Sequence, residues 1–358
     1  MSLTWMCGSE SVVPQLSRYS LRKKLIYCNT IFFARLSVSS LVATVSVILA
    51  ITAESEIVRY YLLFSSVTLL AREPLMVGFA KWQSEGKLYL SGIIQIFGCI
   101  IRILTLYYLF IVINFDIKFL ALPWVLEGIF VAIVMYCCSI CKFPRISLVR
   151  LNDIGFLLKR SFFIWGGVVA YALFMKIDRF LLKGNISPVD YGIYSAASQI
   201  NENTASVTLI LIQVLAPSFY TKQEVENFQQ KSYCLIHNNV YCFSLFSFSL
   251  KPFTPYIFTF VFGHDYVTSA NYYNILVFLL PFFAVDNLIN AANLASKSYY
   301  YYTIKWCLVF LLCLSIYSAL KVSAITAPIP SIFIALYISL FFSILVSIYW
   351  YLTVTKNI

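Results

Sequence analysis

Phe163 to Ile200 reads FIWGGVVAYALFMKIDRFLLKGNISPVDYGIYSAASQI. It divides into an apolar helix, a short break at Gly184 to Asp190, and a small-residue helix opening at Tyr191-Gly192-Ile193-Tyr194. The first helix is long enough to cross a bilayer, yet it carries Lys176, Asp178 and Arg179 toward its end. Charges in lipid are costly and mark a polar path or an interface anchor. Lys176, Arg179 and Lys183 stand at i, i+3 and i+7, so they share one helical face, and Asp178 points to the opposite one. Snorkelling of the cations to the interface is the plain alternative.

The rest of the chain sets the class. Sixty-one per cent of the 358 residues are hydrophobic, 11% are charged, and the mean hydropathy is +0.82. Apolar runs long enough to span recur throughout, which makes this an all-α polytopic membrane protein. Aromatic residues, at 18%, supply interfacial belts and can line a path. The net charge of +11 does not point to nucleic acid, because the basic residues are scattered between apolar spans and form no basic domain. Ten cysteines point to neither disulfides nor zinc. Cys137, Cys138 and Cys141 cluster at a helix end, but His237 and His264 lie far off and complete no metal site. No metal and no cofactor is expected. Met1 to Ser20 lacks the apolar core of a cleavable signal peptide.

Ten spans are expected: Leu25–Thr52, Ile57–Ala80, Leu88–Ile113, Phe119–Cys141, Ser161–Leu182, Tyr191–Pro217, Tyr233–Leu250, Ala270–Ser296, Thr303–Leu320 and Pro330–Val354. They arrange the chain as a basic N-terminal stretch over residues 1–24, a first lobe of four spans over 25–141, a basic amphipathic linker over 142–160, and a second lobe of six spans over 161–358. Of the 26 Lys and Arg residues, 16 fall at one set of span ends, Lys305 among them, 6 at the other, and 4 within spans. That bias places both termini in the cytoplasm. Lys251-Pro252-Phe253-Thr254-Pro255 breaks the seventh span, and Tyr256 to Phe262 reads as a short interfacial helix ending at Gly263.

Depth distinguishes the charges within spans. Arg72 lies nine residues from Lys81, about 13 Å at the helical rise, and Arg102 fifteen residues from Lys87, about 22 Å. Both fall near the middle third of a hydrocarbon core of about 30 Å. Glu73-Pro74 follows Arg72, so the helix should kink there. A local Arg72–Glu73 pair is the plain alternative to a functional role. Glu202 and Asp286 are buried acids of the later spans. Asp286, Asn290 and Asn293 form one polar stripe, and Ser195, Ser198, Gln199 and Glu202 form another. Stripes of this kind face a bundle interior or a wet cavity, and hydrogen bonding between helices accounts equally for their Asn and Ser members. A wet cavity is expected for both acids. The expected pattern is asymmetric, with deep cations in the first lobe and deep acids in the second.

Lys176-Ile177-Asp178-Arg179-Phe180-Leu181-Leu182, a short turn, and Tyr191-Gly192-Ile193-Tyr194-Ser195-Ala196-Ala197 resemble the seventh and eighth helices of the Wzx polysaccharide flippases. Those proteins share a superfamily with the MATE exporters and the lipid II flippase. Val261-Phe262-Gly263-His264-Asp265-Tyr266 resembles the turn before their tenth helix, and Leu70 to Gly86 their fourth helix and following loop. The resemblance implies two lobes around a central lumen. It also implies that the chain aligns from the end of the family's second helix, so that two helices of the first lobe are lacking. The implied activity is transfer of an undecaprenyl-pyrophosphate-linked oligosaccharide from the cytoplasmic to the periplasmic leaflet of the inner membrane by alternating access, coupled to an ion gradient. Polymerase and chain-length proteins of the same pathway would be partners.

A pyrophosphate needs cations, and guanidinium suits it well. Arg72, Arg102, Lys176 and Arg179 are the candidates for the head group. Asp178, Glu202 and Asp286 are the candidates for ion coupling. No catalytic residue is expected. The alternative is an O-antigen polymerase or ligase-type membrane glycosyltransferase, although the short outer connections lack the long periplasmic loop such enzymes carry.

Overall fold

Inside lipid, a single segment satisfies all its backbone N–H and C=O groups only as a helix. The computed structural model describes residues 8–17, 19–140, 151–219, 241, 243–295, 299–323 and 327–355, and it holds helices and no strand among them. The chain divides into two compact units, Met1–Trp165 and Gly166–Ile358. The first holds α1 (Ser9–Leu16), α2 (Leu21–Thr52), α3 (Glu56–Arg72), α4 (Val77–Ser84), α5 (Leu88–Leu106) and α6 (Leu122–Met135). The boundary falls inside α7 (Leu151–Phe174). The second holds α8 (Ile177–Leu182), α9 (Pro188–Phe219), α10 (residues 243–250), α11 (Thr254–Phe262), α12 (Ser269–Leu276), α13 (Leu280–Ala295), α14 (Tyr299–Val322) and α15 (Pro328–Thr355).

Nine helical stretches among the described residues are long and apolar enough to cross a membrane. Eight match expected spans, and the ninth, Phe243–Phe262, shares only residues 243–250 with the expected seventh span and takes in the segment expected as an interfacial helix. The tenth is α9, whose 32 residues are ample in length but whose polar stripe lowers its hydropathy. The chain is a multi-pass membrane protein. Residues 141–150 of the expected linker and the opening of the span expected at Tyr233 lie outside the described residues. Leu151 to Arg160, expected as a surface segment, runs directly into α7 as one helix.

The surface is apolar and the seams are polar. On α15, Ser331, Ser339, Ser343 and Ser347 are all fully buried, while Ile338, Phe341, Leu345 and Ile348 on the other faces are exposed. Serine spacing of four or eight residues keeps the hydroxyls on one face. Small polar residues let helix backbones approach and hydrogen-bond across the seam. In the first unit, α5 likewise exposes Ile93, Ile96, Phe97, Ile100 and Leu104. A core of Phe79, Trp82, Ile94, Val131 and Met135 lies behind it.

Prolines place the bends. As expected, α3 ends at Arg72, and Pro74–Met76 forms a single 3-10 turn before α4. In the second unit, Pro281 has no N–H for the carbonyl four residues back, that of Val277. That carbonyl accepts the Leu280 backbone N–H in a 3-10 turn instead, and the Ser247 hydroxyl of α10 also lies 3.1 Å from it. The bend between α12 and α13 thus leaves no orphan at this carbonyl. The span expected to run unbroken from Ser161 to Leu182 is interrupted. It turns at Met175-Lys176 and restarts as α8.

Candidate functional site: paired charges in each unit

The first unit brings its deep cations to two glutamates. Glu127 sits on α6 and is buried. Arg102 of α5 donates to its Oε2 at 3.1 Å, and Arg72 of α3 lies 3.8 Å from its Oε1. Two glycines make this meeting possible. A Cβ on Gly128 would stand 2.7 Å from Thr68 Cγ2, and one on Gly98 would stand 3.2 Å from Glu127 Cγ. The first distance is too short for a side chain and the second is tight, so α6 packs on α3 and α5 at glycine contacts. Thr68 is one turn before Arg72, and Gly98 is one turn before Arg102. The close contacts therefore set the height at which both guanidinium groups reach Glu127.

Arg72 and Arg102 differ in reach. Their side chains are 17% and 31% exposed, against 10% for Glu127. Arg102 also lies over the Trp124 ring at 5.7 Å and donates to Cys99 Sγ at 3.5 Å. Glu73 does not pair with its neighbour Arg72. It takes Arg35 of α2 at 3.4 Å, in a pair that is almost wholly buried. The local Arg72–Glu73 pair is thereby replaced by two longer-range pairs. The net charge of Arg72, Arg102 and Glu127 is 2 − 1 = +1.

The second unit repeats the arrangement. Glu202 on α9 accepts from Lys176 Nζ at 2.9 and 3.2 Å, and also from the Arg179 guanidinium. Arg179 further donates to Gln199 Oε1 at 2.9 Å. Lys176 is 48% exposed and Arg179 17%. The turn at Lys176 sends Lys176 and Arg179 to Glu202 while Asp178 meets other residues of the same helix. Asp178 is buried and accepts from Tyr194 OH at 3.0 Å, from Ser198 Oγ, and from the Arg179 backbone N–H at 2.8 Å. No cation among the described residues forms a salt bridge with it.

Asp178, Ser198, Asn201 and Glu202 share one partly open cleft with Phe174 and Phe283, with water-accessible room of about 20 Å³. That is space for about one water. Asn201 Oδ1 is buried there without a hydrogen-bond partner among the described residues.

Asp286 lies elsewhere, in a closed network of α13, α14 and α15. Lys305 Nζ reaches its Oδ2 at 2.8 Å and its Oδ1 at 3.1 Å. Ser343 and Ser347 donate to Oδ1 at 2.8 and 3.0 Å, and Asn290 donates to Oδ2 at 2.8 Å. The wet cavity expected for Asp286 is replaced by an ion pair whose side chains are 0% and 1% exposed. Glu202 has both a cleft and partners. Lys305, read in the sequence at a cytoplasmic span end, is fully enclosed within the second unit. The expected asymmetry of cations and acids fails on two counts, because Glu73 and Glu127 pair the arginines of the first unit and Lys305 pairs the deepest acid of the second.

No family model and no curated protein matches the sequence. Solved structures do match its fold. A variant of the Vibrio cholerae MATE transporter VcmN matches with a TM-score of 0.75 at 13% identity, over 99% of this chain and 85% of that one. The eukaryotic MATE transporter AtDTX14 matches with a TM-score of 0.70 at 11% identity, over 99% and 84%. A MOP superfamily transporter from Pyrococcus furiosus, described by a binding pocket of reverse polarity that suggests a different function, matches with a TM-score of 0.67 at 14% identity, over 99% and 84%. The chain has the fold of the MATE transporters.

Proposed function

We propose that the chain is a flippase for a polyprenyl-pyrophosphate-linked oligosaccharide, carried between leaflets of the bacterial inner membrane by alternating access. Both termini face the cytoplasm in this reading, and the polyprenyl class is undecaprenyl. The observation that carries it is the surplus of reachable positive charge in each unit. Arg72 and Arg102 share one carboxylate, and Lys176 and Arg179 share another. A merely structural pair would balance one cation with one acid, as Arg35 and Glu73 do. Paired cations held in place on a single glutamate suit a diphosphate, which offers several acceptor oxygens to bidentate donors. A fold in which one relative carries a pocket of reverse polarity is compatible with an anionic cargo.

Of the three acids, Asp178 is the favoured coupling residue, because Glu202 and Asp286 already hold cations. It would take a proton or a monovalent cation, with Asn201 Oδ1 beside it in the cleft. Glu202 instead orients the two head-group cations next to it.

The test uses purified protein in detergent and farnesyl pyrophosphate as the probe, with uncharged farnesol as the control. Farnesyl pyrophosphate raises the melting temperature of the wild type, and farnesol does not. A charge-assisted hydrogen bond is worth about 1.5–3 kcal/mol, so Arg102→Ala weakens binding by about tenfold or more. Arg72→Ala with Arg102→Ala removes most of the shift. An undiminished shift in that double variant would overturn the head-group role. Export of the repeat unit in a flippase-null strain, read beside protein levels, extends the test to transport.

A further inference from the structure

The head-group and coupling roles leave two buried cations unused, Arg35 and Lys305, of which Lys305 is the more completely enclosed. We propose that Lys305 is a built-in counter-cation, whose ammonium permanently fills an oxygen cage with the chemistry of a site for a small monovalent ammonium ion. Asp286 is then an acid that carries its own cation and exchanges none. The inference concerns the packing of the second unit alone and does not depend on what the protein carries.

The cage is built from three helices. Four oxygens surround Lys305 Nζ: Asp286 Oδ1 and Oδ2 at 3.1 and 2.8 Å, Asn290 Oδ1 at 2.5 Å and Ser347 Oγ at 3.4 Å. An ammonium has three N–H donors, so four acceptors saturate it. The remaining side is aromatic, with Nζ 4.5 Å from the Trp306 ring centroid, 5.6 Å from Tyr301 and 5.9 Å from Tyr302. Aromatic faces attract a cation most strongly when it is desolvated, as it is here.

The carboxylate is equally full. Besides the ammonium it accepts Ser343, Ser347 and Asn290. Tyr301 OH in turn donates to Ser347 Oγ at 2.6 Å, which fixes the orientation of that hydroxyl. Buried charges of this kind survive only with excellent geometry and satisfied lone pairs, and both conditions hold. A second cation arriving at Asp286 would meet the ammonium's own charge and find no free acceptor on the acid.

The experiment removes the tether and offers its chemistry back in trans. Lys305→Ala deletes three carbons and the nitrogen, the shape of n-propylammonium. The full chain is melted in detergent with n-propylammonium chloride, or with tetramethylammonium chloride, which has no N–H, at equal ionic strength. Lys305→Ala melts well below the wild type, and n-propylammonium restores most of the loss through preferential binding to the folded state. Tetramethylammonium does not, the wild type responds to neither salt beyond their common effect, and Asp286→Asn with Lys305→Ala does not respond to the amine.

A folded Lys305→Ala protein that treats the two salts alike overturns the proposal, and so does an amine response that survives Asp286→Asn. Should Lys305→Ala yield no folded protein, the double variant decides. Removing both charges leaves no unpaired ion, so recovery of folded protein upholds the counter-cation, and failure overturns it.

Discussion

Glu127→Gln separates the two roles that a carboxylate between two guanidinium groups could have. The substitution keeps the shape of the side chain and removes the charge that both Arg102, at 3.1 Å, and Arg72, at 3.8 Å, approach. At an effective dielectric of about 20, the gross attractions are about 5 and about 4 kcal/mol. Breaking a fully buried pair costs about 3–5 kcal/mol net. These arginines are 31% and 17% exposed, so water recovers part of that, and Arg102 keeps the Trp124 face. A net loss of about 1–3 kcal/mol follows once solvent screening is included, enough to lower the melting temperature measurably.

If Glu127 were only structural, its loss would lower stability and leave ligand response unchanged or poorer. In the proposed function it also competes with the diphosphate for the two arginines. Glu127→Gln should therefore melt lower than the wild type without ligand, and farnesyl pyrophosphate should stabilise it more than it stabilises the wild type. The assay is thermal unfolding in detergent, titrated with farnesyl pyrophosphate. A titration in which the variant's shift is equal to or smaller than that of the wild type would refute the competition argument. Adding Arg102→Ala to the variant should erase the extra ligand response.

Two further outcomes test the geometry. Gly128→Ala places a Cβ 2.7 Å from Thr68 Cγ2, and such overpacking costs about 1–3 kcal/mol; a melting temperature equal to that of the wild type would show that α3 and α6 yield without strain. Asp178→Asn should retain the farnesyl pyrophosphate shift and lose gradient-driven export in vesicles. Export that still follows an imposed proton or sodium gradient in this variant would remove Asp178 from coupling.

The sequence was most legible where one residue type acts alone. Length and hydropathy gave eight of the spans, and Pro74 gave the kink, because both are local properties of the chain. Arg72 and Arg102 do meet in the first unit, on one carboxylate. Pairing was not legible, because it depends on register between helices. Glu73 is adjacent to Arg72 in sequence, yet successive helical residues do not face each other, and the two side chains go to different partners, Arg35 and Glu127. Glu127 itself was available as a lone acid inside LPWVLEGIFVAIVM, where a charge in a span calls for a partner. Lys305 was hidden by its setting. The run YYYYTIKW looks like an aromatic interface belt, but the rings of Tyr301, Tyr302 and Trp306 face the ammonium within the protein. The break at Met175-Lys176 carries no proline or glycine, and nothing in the local sequence announces it.

Charge arithmetic links the second unit's two smaller clusters. Lys176, Arg179 and Glu202 sum to 2 − 1 = +1, and an ionised Asp178 one residue from Arg179 brings the total to zero. Protonation of Asp178 restores +1. In the proposed cycle, the affinity of this unit for a diphosphate would then rise and fall with a single proton, while Asp286 and Lys305 contribute no net change because each neutralises the other. A monovalent cation on Asp178 would act in the same direction as a proton. The hydroxyls of Tyr194 and Ser198 can stay in place for either, since each can turn its hydrogen toward or away from the acid. What distinguishes Asp178 from the other two acids is therefore that no cation among the described residues forms a salt bridge with it, which in the proposed cycle leaves it free to take up and release a proton.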